Sequence, residues 1–252
     1  MNKTIVVTQV FAKAELLKYS LDNLYKYGSR NWDEHYLLLK HYPINKEQNH
    51  EQIREYAKQY GCKVFDCEFD RGLHEGLNFF FEKNPQPAGT RMLGFDPDTA
   101  VKPEAKNFDL VMNEVMDACP NIPIVALWGV GVENKHEQLK QYEITIKEHN
   151  VLIHPDVEMY NLALFDLDWV FKTGGFKEPN AYYGGLECYF YQKMQETNKK
   201  LAYLVDYKEC YDTVPNISDP ELRMYKDAHL AGFQNSFEDW LRYTGRQTLI
   251  TG

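Results

Sequence analysis

Residues 90–99 read TRMLGFDPDT, a short apolar run that delivers two carboxylates, Asp96 and Asp98, on either side of a proline. The run has the composition of a buried strand, so the meaning of its end decides what kind of sheet it belongs to. Two carboxylates this close repel each other unless a cation lies between them. In an extended segment residues i and i+2 point to the same side, so both can face one ion, and Pro97 biases Asp96 toward extended geometry. Hard oxygen ligands suit Mg2+ or Mn2+. D-P-D-T is also good turn chemistry. On spacing alone the turn is the favoured reading.

Working outward, the first half of the chain alternates strand and helix signals. TIVVT (4–8) is a β-branched run, followed by a helical pattern carrying Leu17, Leu21 and Leu24 and stopping at Gly28. HYLLL (35–39) and KVFDCEF (63–69) are further strands, with helices over 46–60 and 73–84. Strands separated by helices of this length imply right-handed βαβ crossovers and a mostly parallel sheet flanked by helices, an α/β fold of nucleotide-binding type. Such sheets take their ligands at the carboxyl ends of the strands, where Asp96 and Asp98 lie. Beyond Pro103 the pattern predicts a helix over 104–118, a strand over 122–130, a polar excursion over 131–153 and a strand with a short helix over 161–176. A helix over 184–198 and a strand over 201–207 follow. One domain, 1–214, is expected, with a C-terminal helical tail, 215–252, packing on it.

Composition narrows the partners. The 252 residues are 44% hydrophobic and 26% charged, with 28 basic against 37 acidic side chains and a net charge of −9. That balance argues against holding nucleic acid or an anionic membrane by bulk electrostatics. No apolar run approaches the ~20 residues of a membrane span, and MNKTIVVTQV passes directly into a strand, so a cytoplasmic protein is expected. The five cysteines are odd in number and never spaced as C-x-x-C, which indicates neither a zinc ribbon nor a disulfide framework. None of the eight histidines has a metal spacing; His74-Glu75 lacks the second histidine of a zincin.

Three motifs in order carry a resemblance: DRGLHEGLN (70–78), FDPDT (95–99) and GGFKEPNAYYGGLECYF (174–190). Together they resemble the GT-A-fold glycosyltransferases of the family-2 type, over residues 4–212. The resemblance implies an Asp-x-Asp element that binds a divalent metal, Mn2+ or Mg2+, on the diphosphate of a nucleotide sugar. Asp96 and Asp98 would be that element, with Asp98 the direct ligand; where the family tends to supply a late histidine to the metal this chain has YKECYD (207–212), which leaves Asp212 as the third ligand. Asp70 and Arg71 fall where the family touches nucleotide or sugar, and Thr8 and Gln9 match the loop that cups the nucleotide. Asn78 takes the place of a family asparagine in the third helix. Gly175 belongs to the Gly-Gly-Phe loop that shapes the acceptor side. Glu187 would be the base that takes the acceptor's proton, and a helix N-terminus keeps a carboxylate ionised for that task.

The departures are specific. LLLKHYPIN (37–45) lacks the carboxylate that reads uracil in many relatives, and the common acidic pair at the acceptor helix is Glu187-Cys188. The function implied is metal-dependent transfer of one sugar from a nucleoside-diphosphate sugar, UDP-sugar favoured, to an acceptor hydroxyl. The acceptor would be a glycan or, since the Lys-, Asn- and Tyr-rich vocabulary resembles that of large-bacteriophage proteins, hydroxymethylated cytosine in phage DNA. Two alternatives are a non-catalytic nucleotide-sugar-binding module, kept alive by Glu187-Cys188, and a nucleotidyltransferase. The second would want a Gly-rich phosphate loop that VTQVFAKAELL does not supply.

Overall fold

The first strand, β1 (Thr4–Val10), is buried along its whole length, as a β-branched run covered on both faces must be. A computed structural model describes residues 2–10, 14–40, 46–67, 73–127, 142–154, 162–176, 186–207 and 210–213; the side chains of 46–49, 73, 154, 186–188 and 211–213 are not described. Helix α1 (Ala14–Tyr27) buries Leu17, Leu21 and Leu24 on one stripe, with Glu15 in its first turn and Lys26 in its last, as the helix dipole favours. Each of those leucines contributes about 1.5–3 kcal/mol by leaving water, so a charge at Leu21 would unseat the helix. Then come β2 (Glu34–Leu39), α2 (Lys46–Tyr60), β3 (Lys63–Asp66), α3 (Leu73–Lys83) and β4 (Arg91–Phe95). This half matches the order read from the sequence, and β3-β2-β1-β4 are parallel neighbours.

The second half departs from it. After α4 (Phe108–Ala118) and β6 (Ile124–Leu127), the segment expected to be a surface excursion contains β7 (Glu143–Ile146) and β8 (His149–His154). They form a hairpin on the sheet edge. Its alternation, Ile144 and Ile146 against Val151 and Ile153, is diluted by Glu, Lys and His, which hid the period-two signal. Strand β9 (Leu162–Asp166) enters between β4 and β6 and runs antiparallel to both. The nine-stranded sheet, β3-β2-β1-β4-β9-β6-β10-β8-β7, is therefore mixed rather than mostly parallel, with β10 (Leu201–Leu204) parallel to β6 and antiparallel to β8. Apolar runs carry no direction. The parallel expectation rested on helices linking strands that pair in sequence order, and β9 pairs instead with β4 and β6.

Helices cover both faces. On one, α3, α5 (Leu167–Lys172) and α6 (Leu186–Thr197) meet Ile5, Val7, Phe165 and Phe176; on the other, α4 packs on Val6, Leu93 and Phe95, and α1 and α2 on Val10, Leu37 and Leu39. A second sheet pairs β5 (Thr99–Val101) with β11 (Tyr211–Thr213). Both strands are too short for a sequence pattern to reveal. No helix among the described residues is long and apolar enough to cross a membrane. The tail 215–252 lies outside the described residues.

Candidate active site

β4 ends at Phe95, and the chain turns at once. The Thr99 amide donates to the Asp96 carbonyl at 3.1 Å, closing Asp96-Pro97-Asp98-Thr99 into a four-residue turn. The carboxylates are thus presented by a turn and not by an extended strand, because a proline with φ near −65° suits its second position and an aspartate its first. Both aspartates are half-buried at the carboxyl end of a central strand. The turn is held from α1, whose buried Ser20 hydroxyl donates to the Pro97 carbonyl at 2.8 Å.

The small sheet adds a third acidic position. In the β5–β11 register Asp212 lies opposite Ala100, two residues beyond Asp98, so two distant parts of the sequence meet beside the turn. The Asp212 side chain is outside the described residues. Among the described ones no group of three or more His, Cys, Asp and Glu gathers around one point. Thr99 beside the turn is fully buried, and its hydroxyl has no hydrogen-bond partner among the described residues. Carboxylates and a hydroxyl are hard oxygen donors, whose chemistry suits Mg2+ or Mn2+ better than a soft metal.

Thr8 and Gln9 part company. The β1 alternation puts Thr8 with Val6 and Val10, fully buried, and its hydroxyl is 3.1 Å from His35 Nε2. His35 Nδ1 in turn lies 3.1 Å from the Tyr25 hydroxyl. Burial holds this imidazole neutral, its pKa pushed down to about 3, and burial raises the Tyr25 phenol. The Thr8 side chain is thus engaged within the protein. Gln9 faces the opposite side, 9% exposed, and its Oε1 has no hydrogen-bond partner among the described residues. Beside it stands Lys40, 0% exposed at the end of β2. A Cβ on Gly76 of α3 would lie 2.9 Å from Lys40 Cε and 3.3 Å from Gln9 Oε1, so the missing side chain makes the room. A lysine is rarely fully buried. The signal available in the sequence was its place, directly behind the apolar LLL.

On the far side of β4, Gly175 adopts a φ of +84°, and a Cβ there would lie 2.8 Å from Asn78 Oδ1. Asn78 donates to the Phe176 carbonyl at 2.6 Å and accepts from the Phe176 amide at 3.0 Å. Glu187 falls in the first turn of α6, one turn before Phe190; its side chain lies outside the described residues, as do Asp70 and Arg71. His149 bonds Glu114 at 3.1 Å and has no part in the site.

No protein-family profile matches the sequence, and no curated protein does. Solved structures do match in shape. PcManGT, a mannosyltransferase from Pyrobaculum calidifontis solved in complex with GDP-Man and Mn2+, superposes with a TM-score of 0.60 at 16% identity, over 92% of this chain and 62% of its own. GalNAc-T7, solved with UDP, GalNAc and Mn2+, gives 0.62 at 17% identity, over 81% of this chain and 42% of its own. The chain thus spans less than two thirds of either relative, and at these identities the likeness is one of fold. The mixed α/β sheet with helices on both faces matches the GT-A fold of these glycosyltransferases.

Proposed function

We propose that the protein is a metal-dependent glycosyltransferase that moves one sugar from a nucleoside-diphosphate sugar, a UDP-sugar first, to an acceptor hydroxyl. The observation that carries this reading is the Asp96-Pro97-Asp98 turn, fixed by Ser20 at the carboxyl end of β4 and flanked by the strand that brings Asp212 alongside. Asp96, Asp98 and Asp212 would hold a divalent cation, which would supply positive charge for the departing diphosphate. The chain's own residues do the rest. Gln9 offers a buried acceptor on the nucleotide side, Gly175 and its loop shape the acceptor side, and Asp70 and Arg71 contact the donor. Glu187 takes the proton of the acceptor hydroxyl as its oxygen bonds to the anomeric carbon and the bond to the diphosphate breaks. The net charge of −9 favours a neutral glycan as acceptor over hydroxymethylated DNA.

Release of nucleoside diphosphate from UDP-glucose, UDP-GlcNAc and GDP-mannose with Mn2+ tests this, over a panel of oligosaccharides and hydroxymethylated DNA. Release with at least one donor–acceptor pair is expected. Glu187→Gln should then lose at least a hundredfold in turnover while still binding the diphosphate. Binding without turnover in the wild type would mark a non-catalytic sugar-nucleotide module instead.

A further inference from the structure

We propose that Asn78 is a positioning residue for sugar transfer, one that sets the acceptor-side loop and the helix carrying Glu187 without touching the donor site; this rests on the transferase reading above. Asn78 spends both ends of its amide on a single residue 98 positions away, Nδ2 on the Phe176 carbonyl and Oδ1 on the Phe176 amide. Two bonds to one peptide unit fix its orientation as well as its place, as paired residues do in a β-ladder. Gly175 is what permits the approach, since any side chain there would enter the space of Asn78 Oδ1.

What the clamp holds is the centre of an aromatic cluster. Phe176 is 1% exposed, and its ring lies 6.0 Å from Phe81 on α3, 5.9 Å from Phe165 on β9 and 5.9 Å from Phe190 on α6. A second tie joins α6 to the end of α5, from the Tyr189 hydroxyl to the Thr173 carbonyl at 2.7 Å. Aromatic packing alone would bury Phe176. The amide pair adds direction, and it fixes the point from which the chain enters 177–185 and then the first turn of α6.

The metal turn hangs from a different support. Ser20 reaches Pro97 from α1, on the opposite face of the sheet from α3. Removing Asn78 therefore moves the acceptor loop and Glu187 but leaves Asp96 and Asp98 where they are. Reacting groups displaced by about 1 Å forfeit on the order of a hundredfold in rate.

The test compares wild type, Asn78→Ala and Asn78→Asp on the donor–acceptor pair that the wild type turns over. Each variant's thermal shift with the matching nucleoside diphosphate and Mn2+ is read against its own unliganded midpoint. Asn78→Ala should lose about ten- to a hundredfold in kcat with an unchanged diphosphate shift. Asn78→Asp keeps the acceptor for the Phe176 amide, and should fall between the two; it also carries the test if the alanine variant does not fold. Variants as active as the wild type would overturn the proposal, and so would a loss of the diphosphate shift in step with kcat. A wild type that turns over no pair overturns the transferase reading itself and the positioning role with it.

Discussion

The Ser20 hydroxyl donates to the Pro97 carbonyl at 2.8 Å, so a helix on one face of the sheet holds the turn that presents Asp96 and Asp98. Ser20→Ala removes that bond and little else, because the side chain is fully buried and alanine is nearly its shape. Global stability should fall by about 1 kcal/mol in a urea titration. Groups that support metal ligands matter more to the metal than to the fold, so Mn2+-dependent diphosphate affinity should fall about tenfold. Equal affinity in the two proteins would mean the turn keeps its shape without α1.

Two glycines with positive φ separate backbone strain from side-chain conflict. Gly61, φ +69°, follows α2 in open space, and Gly61→Ala should cost about 1 kcal/mol through the left-handed backbone alone. Gly175, φ +84°, adds a Cβ contact of 2.8 Å with Asn78, and Gly175→Ala should cost roughly 2–4 kcal/mol. Chemical denaturation decides between them. Equal costs would show that the Asn78 amide yields freely.

His35 makes stability depend on pH. Its folded pKa is pushed down to about 3 by burial, against an ordinary value of 6.5, so below 6.5 the unfolded chain binds a proton that the folded one refuses. The stabilising contribution is complete above about 6.5 and is lost as pH falls toward 3, on the order of 1 kcal/mol per pH unit. Glu34, held down to about 2 by Lys3 and Lys63, loses its share only below its ordinary value of 4.5. Between pH 6.5 and 4.5 the wild-type slope should therefore be steeper than that of His35→Gln. Parallel slopes would rule out a neutral buried imidazole.

Much of this was legible in the sequence where local and global signals agree. β1 through β4 with their helices announce themselves by β-branched runs and by leucines at helical spacing, and the DPDT turn by its residue types. Direction and pairing were not legible. LALFD (162–166) reads as a strand in either sense, and only its pairing with β4 and β6 makes β9 antiparallel. β5 and β11, three residues each, exist through their mutual pairing across more than a hundred positions, yet they are what brings Asp212 beside the turn. The surroundings of Thr8 and Gln9 were equally hidden. Which partners the residues of a buried strand meet depends on its neighbours in the sheet, and here His35, itself bonded to Tyr25, meets the Thr8 hydroxyl, whereas Gln9 Oε1 has no hydrogen-bond partner among the described residues.

The most direct measurement is the thermal midpoint of the wild type and of Asp98→Asn with UDP, GDP, CDP and ADP, each with and without Mn2+. A ligand that binds only the folded state at a hundred times its Kd adds about 2.7 kcal/mol, an easily visible shift. One diphosphate should raise the wild-type midpoint only when Mn2+ is present, and Asp98→Asn should lose that rise while keeping its unliganded midpoint. No shift with any diphosphate, or an equal shift in both proteins, would leave Asp96-Pro97-Asp98 as a turn and nothing more.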